Sequence, residues 1–277
     1  VSKARALPVE DLAPLIAGFL RWGQQDGAHV LVPALRQLFL HLAGAGQRKH
    51  ALSLLRVLIA PTLDSSDRPI RWVRPAIGVD TWQYSEFLEE DVPKVATAIG
   101  LPLLGELRRA LDSSQEWMLS KDDSYSDGSQ HYRLRMEQSS GRDDVRDILT
   151  TALYRTADHF MDAGVATLTE IDEVFSKSPR LLLDRIALAL LGKYPRVVVP
   201  ERLLSNRRLF VEFFPREYSE LLRARGSSIT VESRAQLRAF LQDGPDVERW
   251  KQNYRAFWGD LEPGVAENWL AHWRAER

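Results

Sequence analysis

The chain has 277 residues, 44% hydrophobic and 27% charged, with a formal net charge of −1. That is the composition of a folded protein with a full-sized core, and it lacks the basic excess of a dedicated nucleic-acid binder. Cysteine is absent, which excludes disulfides, thiolate nucleophiles and cysteine-ligated zinc and fits a reducing, cytoplasmic setting.

No run approaches the roughly 20 apolar residues that cross a bilayer. The start, Val1-Ser2-Lys3-Ala4, has no signal-peptide core. No membrane partner is expected. Val1 in place of Met is compatible both with a GTG start codon and with a cut from a longer protein. The 7 lysines against 30 arginines, with much Ala and Leu, suggest a GC-rich bacterial genome.

Helical periodicity dominates the pattern. Leu35, Leu38, Phe39 and Leu42 follow Pro33 at i, i+3, i+4 and i+7, and Gly44-Ala45-Gly46 ends the stripe. Ala51, Leu54, Leu55 and Leu58 repeat it as far as Pro61, so the two form an antiparallel helix pair. Residues 61–80, with Pro61, Pro69 and Pro75, read as a long loop, and loops of that length are often functional. A helix follows from about Thr81, with Trp82, Leu88, Val92 and Val95 on its apolar side and Pro93 kinking or splitting it. Leu101–Leu111 makes another helix.

The polar, turn-rich stretch from about Asp112 to Asp143 is the best internal boundary. It separates an N-terminal helical region (1–111) from a C-terminal one (144–277), with 112–143 as linker. Beyond it, Val145, Ile148, Leu149, Ala152, Thr156 and Phe160 share one face, and Leu168, Ile171 and Phe175 follow. The segment Leu181–Leu191 is apolar nearly all round, as a buried central helix would be. Phe210, Phe214, Tyr218 and Leu221 form the next stripe, interrupted by Pro215. Leu237, Phe240 and Leu241 come next, then the aromatic stripes Trp250, Tyr254, Phe257, Trp258 and Ala266, Trp269, Leu270, Trp273, which read chiefly as core. The fold class expected is all-α, an irregular HEAT-like helical array or a multi-helix bundle with little or no strand. No strict sequence period is present.

Motifs with chemistry are missing. There is no P-loop, dinucleotide fingerprint, nucleophile elbow or His-Glu-x-x-His, and no cofactor or metal is expected. Asp123, Asp127 and Gly128 only superficially resemble an EF-hand start, with Tyr125 and Leu134 where oxygen ligands belong. Asp158-His159 with Asp162 lacks the further ligands of a metal phosphohydrolase. The arginines at 202, 207, 208 and 216 sit among glutamates 201, 212, 217 and 220 as a mixed-charge face. What remains are contact candidates: Trp72 between Arg71 and Arg74 in the first long loop, and Arg133 with Arg135 in the second, aromatic and guanidinium groups suited to a carboxylate or phosphate partner.

From Leu182-Leu183-Asp184-Arg185-Ile186-Ala187-Leu188, through Glu217-Tyr218-Ser219-Glu220-Leu221-Leu222, to Leu237, Phe240-Leu241, Gly244-Pro245 and Trp250, the order of helices resembles a known family. It is similar to the helical region downstream of the ATPase module in large bacterial P-loop proteins, some found among antiviral defence genes. The likeness covers roughly residues 100–277 and implies an interaction region with no catalytic residue of its own. The expectation is a non-catalytic helical module for a protein or nucleic-acid partner. The alternative is a hydrolase or nuclease whose site assembles near loops 61–80 and 112–143.

Overall fold

The computed structural model describes residues 18, 32–63, 73–76, 79–116, 144–207, 209–210, 215–225 and 229–275. The apolar stripes that lie within these residues fold as helices, Phe214 of the 210–221 stripe lying outside them, and among the described residues the chain is all-α apart from one two-stranded ribbon. Two compact units form, Val1–Leu183 and Asp184–Arg277.

In the first unit, α1 (Val32–Gly44) and α2 (Arg48–Ile59) make the expected helix pair. All eight stripe residues, Leu35 to Leu58, are buried. The turn between them is a Schellman motif: Gln47 N–H donates to Leu42 O, Gly46 N–H to Ala43 O, and Gly46 takes φ 74°. The third pair is joined by the same device: after α6 (Val145–Asp162), Gly164 takes φ 64° and donates its N–H to Met161 O, and Val165 N–H donates to Phe160 O, before α7 (Leu168–Phe175).

The second pair is less regular. Its first helix runs as α3 (Thr81–Glu86), a π turn (Phe87–Asp91) and α4 (Val92–Ile99), followed by α5 (Pro102–Glu116). Pro93 causes the π turn. It has no N–H for the Glu89 carbonyl and its ring would strike that group in a regular helix. The chain widens by one residue instead, and Val92 N–H donates to Phe87 O. Trp82, expected on the apolar side of this helix, is 54% exposed. It sits in the first turn of α3, whose contacts run to β2 and α6 through the opposite face, where Tyr84 and Ser85 are buried.

The three pairs lie in layers. α1 packs on α4 and α2 on α5; α4 packs on α6 and α5 on both α6 and α7. Polar ties reinforce each junction. Between the first two layers, Arg36 reaches Glu86 at 2.8 Å and Asp91 at 2.5 Å, Arg48 Nε donates to Ala98 O at 2.8 Å, and Arg56 grips Glu106. Between the second and third, Arg155 pairs with Glu89 at 3.2 Å, Thr97 meets His159 Nε2 at 3.1 Å, and the Ser178 hydroxyl donates to Asp112. Successive layers touching mainly their neighbours is the contact order of stacked helix pairs. A HEAT-like repeat is not established by three pairs of unequal length. The residues on both sides of segment 112–143 belong to this one unit, where α5 continues to Glu116 and packs on α6.

Segment 61–80 is not loop throughout. Its ends pair as β1 (Pro61–Leu63) and β2 (Val73–Pro75), antiparallel, with Thr62 opposite Arg74, and Ala76 N–H extends the ladder to Ala60 O at 2.7 Å. Three-residue strands carrying prolines are too short to leave a periodic signal. β1 lies on α5, and β2 on α3 and α6.

Gly100 closes α4 at φ 75°, ψ −158°, a backbone region that only glycine occupies freely. A Cβ there would meet nothing within 4 Å, so the cost of substitution is purely conformational. Gly100→Ala is expected to destabilise the protein by about 1–3 kcal/mol, read as a lower urea midpoint at an unchanged m-value.

The second unit contains α8 (Leu181–Lys193) from Asp184 onward, α9 (Glu201–Ser205), α10 (Pro215–Arg225), α11 (Val231–Asp243), α12 (Val247–Trp258) and α13 (Val265–Ala275). Pro215 does not interrupt a helix but opens α10, where its missing N–H costs nothing. Arg185 of α8 and Glu217 of α10 form a buried ion pair, with side chains 5% and 6% exposed. Tyr218, packed edge-on to Phe210 at 5.0 Å, donates its hydroxyl to Leu203 O. In the expected arginine cluster, Arg202 pairs with Asp184 and Arg207 donates to Gly244 O. Trp273 is buried, whereas Trp250 and Trp269 are half-buried and stack on each other at 4.5 Å.

Candidate functional site

Among the described residues of the first unit, an open concave feature lies where α2 gives way to β1 against α5. Arg56 stands on the last turn of α2. On α5, Glu106, Arg109 and Ser113 follow at i, i+3 and i+7, which puts them on one face. Together with Ile59, Pro61 and Ala110 they line an open cleft of about 310 Å³.

Its electrostatics are lopsided. Glu106 is 3% exposed, and its carboxylate accepts from Arg56 Nη2 at 2.6 Å and Arg56 Nε at 2.8 Å, and also from Arg109 Nη2. Arg56 and Arg109 are 56% and 54% exposed. Hydrogen bonding to Glu106 pushes the Arg56 guanidinium above its already high range, so it stays charged. Two guanidiniums facing one carboxylate leave one net positive charge, and most of their N–H donors are not used on Glu106. The carboxylate accepts three hydrogen bonds from the two guanidiniums. Exposed guanidinium N–H groups of this kind can pair with a carboxylate or phosphate.

A second polar knot lies at the far end of α5. Asp112 accepts from the Ser178 hydroxyl and from Arg108 Nη1 at 3.1 Å. Burial raises its carboxyl above the usual range, against the lowering pull of Ser178, Arg108 and Arg180. Because the folded chain keeps this proton to higher pH than the unfolded chain, stability is lost as pH rises from the ordinary carboxylate range through the raised value. Asp112→Asn removes that loss. The variant's stability relative to the unmutated protein is therefore expected to improve as pH is raised from below 3.8 towards neutrality, in unfolding curves taken at several pH values.

Of the contact candidates read from the sequence, Arg74 is on β2 and exposed, and it is not among the described residues that line the cleft. Arg71, Trp72, Arg133 and Arg135 lie outside the described residues, as do Asp123, Asp127 and Gly128. His159 hydrogen-bonds Thr97, and among the described residues no three His, Asp or Glu side chains converge to hold a metal ion. Sequence reasoning missed Arg56, Glu106 and Arg109. The i, i+3 spacing of Glu106 and Arg109 was a visible signal, but it is common on solvated helix faces. Arg56 meets Glu106 across 50 residues, which no local pattern records.

Compared with known proteins, the chain is matched by no protein-family model, no curated protein and no solved structure.

Proposed function

We propose that this chain is a non-catalytic helical interaction module that recognises a protein or nucleic-acid partner within a larger bacterial assembly of the antiviral-defence type. The observation that carries the reading is the Arg56–Glu106–Arg109 cleft, held open on layers that salt bridges tie together. It presents two half-exposed guanidiniums to solvent, and the one carboxylate among its described lining residues is already bonded to both. Layered helix pairs suit recognition because they provide extended surface on a scaffold that does not need to rearrange. The assembly context is suggested only by the resemblance read from the sequence of residues 100–277 to helical regions of large P-loop proteins.

The test is an affinity pull-down of the tagged protein from its native host, with nuclease-treated and untreated samples compared by mass spectrometry. A stoichiometric protein, or nucleic acid that disappears on nuclease treatment, is the expected result. A partnerless protein that turns over a substrate would overturn the proposal in favour of an enzyme whose site assembles near segments 61–80 and 112–143.

A further inference from the structure

We propose that the Arg56–Arg109 cleft is a receptor for a carboxylate side chain on an acidic segment of a protein partner. This rests on the interaction-module reading and specifies its ligand.

The argument starts from Glu106. A buried carboxylate at the junction of α2 and α5 needs compensation, and one bidentate arginine supplies it: Arg56 gives Glu106 two hydrogen bonds, at 2.6 and 2.8 Å. Arg109 Nη2 adds a third bond, to the same oxygen, Oε1, that Arg56 Nη2 binds, so the local charge is over-compensated. Packing alone does not call for the second guanidinium. Its effect is to hold two planar forks, each about half exposed, around one opening. Ser113 lines the same opening, one turn beyond Arg109.

The walls decide the class of anion. Apart from Arg56, Glu106, Arg109 and Ser113, the described residues that line the cleft are Ile59, Ala60, Pro61 and Ala110, which bring no charge, and its volume of about 310 Å³ is at the small end of ligand pockets and holds roughly one or two side chains. A single glutamate or aspartate with a small neighbour matches one net positive charge among otherwise uncharged lining residues. A nucleic-acid backbone repeats its charge every few ångströms and calls for a basic track. The described residues around the cleft provide two guanidiniums already shared with one carboxylate, and the chain as a whole carries a net charge of −1.

Arg109 is the residue to test, since Glu106 keeps its bidentate partner when Arg109 is removed. The probe is a fluorescein-labelled octapeptide of alternating glutamate and alanine, followed by anisotropy with the full chain at low salt. Its controls are the glutamine version of the peptide and an unlabelled single-stranded DNA oligonucleotide as competitor. The expected result is salt-sensitive binding of the glutamate peptide, absent for the glutamine peptide and weakened about tenfold by Arg109→Gln with an unchanged melting temperature. Arg109→Lys is expected to recover part of the loss.

Equal binding by wild type and Arg109→Gln would overturn the proposal. So would an oligonucleotide that displaces the peptide and binds more tightly in an Arg109-dependent manner, because the cleft would then serve phosphate. The two readings fail separately. If Arg109→Gln captures the native partner as well as wild type does, the cleft assignment falls and the module reading stands. If neither protein captures anything, the module reading falls.

Discussion

Arg185→Met is expected to destabilise the second unit by about 3–5 kcal/mol, because it strands a buried carboxylate. Glu217 is only 6% exposed at its side chain and takes its charge compensation from Arg185 Nε, across the junction of α8 and α10. Removing the guanidinium leaves that negative charge buried without the cation that faces it. Replacing both partners is a different experiment. The double variant Arg185→Met, Glu217→Leu removes the charges together and is expected to recover most of the loss, since a buried pair repays its own desolvation poorly. Calorimetric unfolding of the two variants checks this directly. A single variant within about 1 kcal/mol of wild type would show that Glu217 reaches solvent or another cation in solution.

Phe39→Ala is expected to cost about 3–5 kcal/mol in the first unit. Phe39 is fully buried on α1 and meets the edge of Phe87 at 5.5 Å, where the π turn presents that ring to the first layer. The Arg36 guanidinium lies 6.0 Å from the same ring while it binds Glu86 and Asp91. Truncating Phe39 therefore empties the apolar side of a junction whose polar side is already committed. A double-mutant cycle with Phe87→Leu is expected to show a coupling of about 0.5–1.5 kcal/mol. A coupling near zero would mean that the two layers pack through other residues.

These two effects bear on function through rigidity. The Arg56–Glu106 contact spans the same two layers as Phe39 and Phe87, so a loosened junction would also spread the cleft. Peptide affinity is expected to fall in Phe39→Ala even though the residue lies outside the cleft, whereas Arg185→Met, in the other unit, gives no reason for a change.

What the sequence determined by itself is the helical content and the identity of much of the core. The stripes at Leu35 to Leu58, Val145 to Phe160 and Leu168 to Phe175 are legible because a 3.6-residue period is a local property of consecutive residues. The turn at Gly46 was visible for the same reason. Tertiary structure alone decided which layers meet, and hence that Arg56 finds Glu106 and Arg36 finds Asp91 some 50 to 55 residues away. It also decided that Trp82 faces solvent, that Pro61 and Pro75 pair across a ribbon, and that Pro93 is absorbed by a π turn. Amphipathic periodicity says that a side chain will be buried, because burial follows from apolar area. It is silent on the partner, because a charged contact is set by the three-dimensional course of the chain between its two ends.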